Sequence, residues 1–240
     1  MKNKSKFIIG IDEAGRGPLA GPVAIGLVLV PVNFDWNLIP GVNDSKKLSE
    51  MKREVIYERA LELARVGKLQ YVVEMPTAKA IDKKGIAVVI KGAIANGLTK
   101  LLHRQDLCKN CKSTRSCLLL QNKLGNEQTL KSGSKRQDLL LDPGSVMVKL
   151  DGGLKAPSEW IHQETIIKGD AKERVIGLAS IMAKVTRDRY MEKLARKPQY
   201  AQYNFAQHKG YGTLAHRTAI SEYGLSREHR ASFCKNISFQ

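Results

Sequence analysis

What this 240-residue chain has little of narrows its class first. Its four cysteines, Cys108, Cys111, Cys117 and Cys234, are too few and too unevenly placed to frame a disulfide-stapled fold at this length, so reduced thiols are expected. No apolar run reaches spanning length: a polar, basic opening is followed by a short run that Asp12 interrupts, which excludes a signal or transmembrane segment. A basic amphipathic helix and a lipidation motif are also missing, which removes the membrane surface as a partner. Negative charge is scarce. Lys and Arg total 40 against 23 Asp and Glu, and 40 minus 23 gives a formal charge of +17, which points to a polyanion and first of all to nucleic acid. The expectation is a cytoplasmic monomer long enough to bury a sizeable core.

Against that background the segment 6–30, KFIIGIDEAGRGPLAGPVAIGLVLV, stands out. Residues 7–11 have the apolar, β-branched composition of a buried strand, and a second apolar run at 23–30 follows Pro22 closely enough to close a hairpin. The first strand runs into Asp12 and Glu13, adjacent carboxylates that an apolar interior accepts only with cations or donors to compensate them. Neighbouring strand residues point to opposite faces, so the pair can serve one ion only if the strand ends or bulges there. Gly15, Arg16 and Gly17 place a cation between two residues that let backbone approach a phosphate or sugar. A salt-bridged turn is the plain alternative for the same residues.

The pattern of apolar strand, carboxylate and glycine recurs at 146–150 with Asp151-Gly152-Gly153, and a strand at 165–168 leads into Gly169-Asp170 and a long helix over 171–197. Open α/β sheets build sites at the carboxyl ends of strands, so a mixed sheet can gather Asp12, Glu13, Asp151 and Asp170. Gathered there, like charges repel strongly, and an oxygen-only site for Mg²⁺ or Mn²⁺ resolves the conflict. Asp151 also suits a simple Asp-Gly turn, and Asp170 a helix cap. Between these elements, Ser49 is placed to cap a helix through residue 66, residues 69–75 read as a strand, and 77–102 as one or two helices buried along Ile81, Ile86, Val89, Ile90, Ile94 and Leu98.

Residues 103–145 interrupt the sequence with a basic stretch beyond the usual length of a loop. His103, Cys108, Cys111 and Cys117 offer a possible zinc set, and a basic arm against nucleic-acid backbone is the other reading. Lys184 and Asp188 are spaced for an i, i+4 salt bridge, or Asp188 supports the acidic cluster from behind. Further on, Tyr211 lies between glycines beside Lys209 and His208, suited to stacking on a sugar or base, or else a buried structural tyrosine. A helix over 215–223 follows.

DEAGRGPLAGPV resembles the signature of type 2 ribonuclease H, the ribonuclease HII family. DSKKLS at 44–49, the Asp151-Gly152 pair, GDAKERVIGLASIMAKVTRDRYM at 169–191, KGYGT at 209–213 and SREHRASF at 226–233 are similar to its other motifs, with Gly153 where asparagine is frequent. The resemblance implies a ribonuclease H-like α/β fold, with a mixed sheet flanked by helices over 1–197, the 103–145 insertion, and a helical substrate-contacting extension over 198–240. It implies hydrolysis of the RNA strand of RNA/DNA hybrids, and incision 5′ of ribonucleotides embedded in duplex DNA, by two Mn²⁺ or Mg²⁺ ions on Asp12, Glu13, Asp151 and Asp170. Gly15, Arg16 and Gly17 would read the ribose 2′-hydroxyl, Lys46 a substrate phosphate, and Tyr211 the neighbouring sugar. A two-metal nuclease indifferent to ribose would share the acids, and a basic binding protein without catalysis would share the charge. The separately placed acids argue against the second.

Overall fold

Strand β1 (Phe7–Ala14) and strand β2 (Ala24–Pro31) form the expected antiparallel hairpin, in register from Phe7 opposite Pro31 to Ala14 opposite Ala24. The chain is described by a computed structural model over residues 5–42, 47–102 and 142–238. Lys46 and the four candidate zinc ligands, His103, Cys108, Cys111 and Cys117, lie outside these residues.

Helix α1 (Glu50–Arg65) begins as the sequence indicates, with the Ser49 hydroxyl accepting from the Lys52 amide and Glu50 near the positive end of the helix dipole. Strand β3 (Gln70–Glu74) pairs antiparallel with β2. Two helices follow, α2 (Ala78–Lys84) and α3 (Ile86–Leu102), divided at Gly85. Among the described residues no single helix is long and apolar enough to cross a membrane. Only α2 and α3 taken together approach that composition, and they are bent by 116°.

After a single 3₁₀ turn capped by Asp142, strand β4 (Val146–Asp151) runs parallel to β1, and strand β5 (Gln163–Ile166) runs parallel to β4. The sheet order is β3-β2-β1-β4-β5. One face, carrying Ile9, Ile11, Ile25, Leu27 and Val148, is covered by Val89, Ile90, Ile94 and Leu98 of α3. The other, carrying Val28 and Val30, is covered by α1 and by helix α5 (Arg174–Ala195) through Ile176, Ala179 and Met182. This alternation of inward residues follows from the two-residue period of a strand.

Two glycines set how closely α5 lies. A Cβ at Gly10 would collide with the Val175 carbonyl, and one at Gly26 with the Ala179 carbonyl, so the helix backbone rests directly on the hairpin. Three expectations need correction. Strand β1 neither ends nor bulges at Asp12, because regular pairing with β2 continues to Ala14. Strand β5 lies two residues earlier than the expected 165–168. The long helix is broken: a one-turn helix α4 (Gly169–Lys172) precedes α5, with Glu173 extended between them. Asp170 therefore sits inside α4 and is not a cap; Lys168, in the left-handed region at φ 55°, occupies that position.

Beyond α5, a 3₁₀ stretch over 198–203, helix α6 (Phe205–His208) and helix α7 (Leu214–Tyr223) build a third core around Tyr200, Tyr203, Phe205 and Met191.

Candidate active site

The site is assembled where the β1–β4 ladder stops. The last paired residues are Ile11 and Leu150, so Asp12 and Asp151 follow side by side at the carboxyl ends of two adjacent parallel strands. On β1, Ile9 and Ile11 face the α3 layer, which puts Gly10 and Asp12 on the α5 side. There Asp12, 4% exposed, receives hydrogen bonds from its neighbour's amide, Glu13 N to Oδ1 at 2.7 Å, and from the Ser180 side chain of α5. Ser180 reaches it because Gly10 and Gly26 let the helix descend. No sequence signal singled out Ser180.

Burial is the main reason that the Asp12 carboxyl is pushed up to about 8, with the charges of Asp151 and Glu13 acting in the same direction and the two hydrogen bonds opposing them. Glu13 is also raised, first by burial and then by Asp151, while its ion pair with Arg16 at 3.3 Å works against the shift. Asp151 thus acts on both carboxylates of β1. Its own Oδ1 accepts from the Gly169 amide at 2.6 Å, which fixes the start of α4 and brings buried Asp170 to the same end of the sheet. Left-handed Lys168 makes this turn out of β5 possible. The four acids, predicted from three places in the sequence, therefore lie at one end of the sheet, with Glu13 on the opposite face of β1 from Asp12.

Among the described residues no three acidic, histidine or cysteine side chains are already closed around one cation position. Asp12, Glu13 and Asp151 are held instead by amides, Ser180 and Arg16. The donor set nonetheless fits a hard divalent cation: it is all oxygen, and mutually repelling carboxylates in a buried place are stabilised by positive charge.

The connection 15–23 lies beside this edge. Gly15 has φ +80°, and a side chain there would run into the Arg187 guanidinium. A Cβ at Gly17 would meet nothing within 4 Å, so that position is open to a ligand. Two fully buried arginines hold the loop by its carbonyls. Arg187 of α5 donates from Nε to Pro22 O at 2.9 Å and from Nη2 to Ala20 O at 3.1 Å. Arg230 donates to Gly15 O at 2.7 Å, Arg16 O at 2.9 Å and Gly21 O at 3.0 Å. Both sit in motifs similar to the family's, yet their pairing with residues 165 to 215 positions away left no trace in local sequence.

Tyr211 is 43% exposed, so it is not the buried structural tyrosine that the sequence also allowed. Its ring lies 5.9 Å from Lys184 Nζ and 5.8 Å from Arg187 Cζ. The Lys184–Asp188 pair forms at 2.9 Å, but Asp188 is buried, so the pair is no surface bridge; it lies on the Tyr211 side of α5. The Leu19 amide donates to Gly210 O at 2.9 Å, which ties the Tyr211 turn to the 15–23 connection.

Helices on both faces of a mixed sheet, with acids collected at the ends of its central parallel strands, define a ribonuclease H-like α/β protein. Comparison with known proteins narrows this. A model of the family described as ribonuclease HII matches residues 9–240. The ribonuclease HII of Bacillus cytotoxicus is 37% identical over 232 residues, 97% of this chain and 70% of that protein. The chain belongs to the ribonuclease HII family. In fold it is similar to the crystal structure of ribonuclease H2 from Pyrococcus horikoshii OT3, with a TM-score of 0.61 and 21% identity over 96% of this chain and 100% of that one. The crystal structure of Bst-RNase HIII in complex with Mn²⁺ gives a TM-score of 0.50 and 17% identity, covering 93% of this chain and 64% of that one.

Proposed function

We propose that this ribonuclease H-type endonuclease hydrolyses the RNA strand of RNA/DNA hybrids and cuts 5′ of ribonucleotides embedded in duplex DNA, with Asp12, Glu13, Asp151 and Asp170 as metal ligands. The observation that carries the reading is the meeting of Asp12, Glu13 and Asp151 at the carboxyl ends of β1 and β4, close enough for Asp151 to raise the proton affinity of both β1 acids. Mg²⁺ or Mn²⁺ bound there would supply Lewis acidity toward the scissile phosphodiester and a water activated for in-line attack. The Mn²⁺ complex of the Bst enzyme supports the choice of cation class.

The chain's own residues do the rest. Asp12 gives up its proton when a cation arrives, since burial keeps it protonated otherwise. Arg16 leaves Glu13 free to ligate by turning toward the substrate, and its half-exposed side chain has room to do so. The backbone of 15–17, held through the Gly15 and Arg16 carbonyls by Arg230, is set to receive the ribose 2′-hydroxyl, the atom that separates RNA from DNA. Open space at Gly17 lets the sugar approach. Tyr211 lies against the next sugar. Lys46 is proposed for a substrate phosphate from its motif alone.

The test is a DNA duplex carrying a single ribonucleotide, incubated with Mg²⁺, Mn²⁺ or chelator. Incision on its 5′ side only with a metal is expected. Equal cutting of an all-DNA duplex would favour a ribose-indifferent nuclease, and binding without cutting under every metal would leave only a nucleic-acid-binding protein.

A further inference from the structure

Three imidazoles are buried under the Tyr211 turn, and the backbone settles which nitrogen of each carries a proton. The His208 and His216 rings stack with centroids 4.2 Å apart, and Phe205 lies against all three. The Ser226 amide points at His229 Nδ1 at 2.9 Å, so that nitrogen must accept, and the proton of His229 resides on Nε2. His229 Nε2 lies 3.0 Å from His216 Nε2, which must then be the acceptor. The proton of His216 is left on Nδ1, 2.9 Å from the Tyr211 carbonyl. His208 obeys the same logic: its Nδ1 accepts from the Gly210 amide at 3.2 Å, and its Nε2 donates to Tyr203 O at 2.7 Å.

The chain of donors therefore runs one way, from Ser226 through His229 and His216 to the Tyr211 carbonyl. Its far end belongs to the segment that shapes the 15–23 connection. His229 bridges Ala20, the Arg230 amide donates to Leu19 O at 2.7 Å, and the Gly21 amide donates to Glu228 O at 2.8 Å. We propose that His216 and His229 are positioning residues: a neutral, fixed-tautomer relay that locks the Tyr211 turn to the strand-like segment carrying Arg230, so that the aromatic and ribose-side contacts keep one spacing. This rests on the reading of Tyr211 as a substrate contact. Neither imidazole touches substrate, and neither exchanges a proton in the reaction. A buried network of this kind specifies one geometry because each member has a single satisfying orientation.

Nitrogen-15 NMR of the histidines in the full chain at pH 7 tests the relay with no variant needed. His216 as the Nδ1–H tautomer with His208 and His229 as Nε2–H is expected, and His216 as Nε2–H or as imidazolium overturns the proposal. The functional half is read from kcat/KM on the single-ribonucleotide duplex. His216→Leu should lose roughly tenfold, the size of one buried hydrogen bond, and His216→Asn, which keeps a donor near the Nδ1 position, should recover most of it. In a Tyr211→Ala background the same His216→Leu change should fall to within about twofold, because coupled residues are not additive. A full loss persisting there would show that His216 acts elsewhere, and the positioning role would fail. Should Tyr211→Ala alone cleave like the unaltered chain, the substrate reading of Tyr211 fails, and the functional half of the proposal with it. The tautomers are still judged by the spectrum.

Discussion

Asp12, proposed as a metal ligand, is a single residue whose burial comes at the expense of the resting fold. With its carboxyl raised from 3.8 to about 8 chiefly by burial, it is protonated in the folded metal-free chain and ionised in the unfolded one between those two values. Unfolding in that window releases a proton, so metal-free stability falls as pH rises from about 4 to about 8. Asp12→Asn should remove that slope and raise Tm at pH 7.5 by a few degrees, at about 2–4 °C per kcal/mol for a chain of this size. The same variant should lose cleavage by at least about a thousandfold. Retained metal-dependent cleavage would remove Asp12 from the site. Metal binding carries the complementary signature. Calorimetry at pH 7 in buffers of different ionisation enthalpy should show close to one proton released per site filled, and affinity should climb with pH and level off above about 8. Absence of proton release would mean that Asp12 is already ionised.

At the scale of elements, the contact between α5 and the hairpin decides whether Ser180 meets Asp12. Gly26→Val forces a side chain into the Ala179 carbonyl and should lower stability by roughly 1–3 kcal/mol. It should also weaken cleavage in the fraction that folds, measured by comparing activity with a chemical denaturation curve. Full activity at unchanged stability would show that the close approach is dispensable. Much at this level was legible in the sequence. The hairpin announced itself through apolar runs and glycine-proline punctuation, α1 through Ser49, and the acids through strand-end carboxylates. The cap alternative for Asp170 fails because a left-handed lysine is not encoded by local propensity, and the break at Glu173 lies inside an otherwise continuous helical pattern. Ser180, Arg187, Arg230 and the histidine relay were missed for a shared reason. Each matters through a partner distant in sequence, and no local period reports such pairings.

The molecule as a whole carries a formal charge of +17, far more than its acidic edge can offset. Binding to an RNA/DNA hybrid should therefore weaken steeply with salt, with log K falling linearly against log salt at a slope of about −0.9 for each phosphate neutralised. A flat dependence between low and physiological salt would separate the charge from substrate binding. The same scale holds the bonds from Arg230 to Gly15 and Arg16, which join the two extremes of the described chain. Ribosomes make the amino end first. The carboxylates of β1 emerge early, but the loop that would tell RNA from DNA stays unshaped until residue 230 has cleared the exit tunnel. Whatever ribose selectivity residues 15–17 confer is thus completed late, when Arg230 reaches the Gly15 and Arg16 carbonyls.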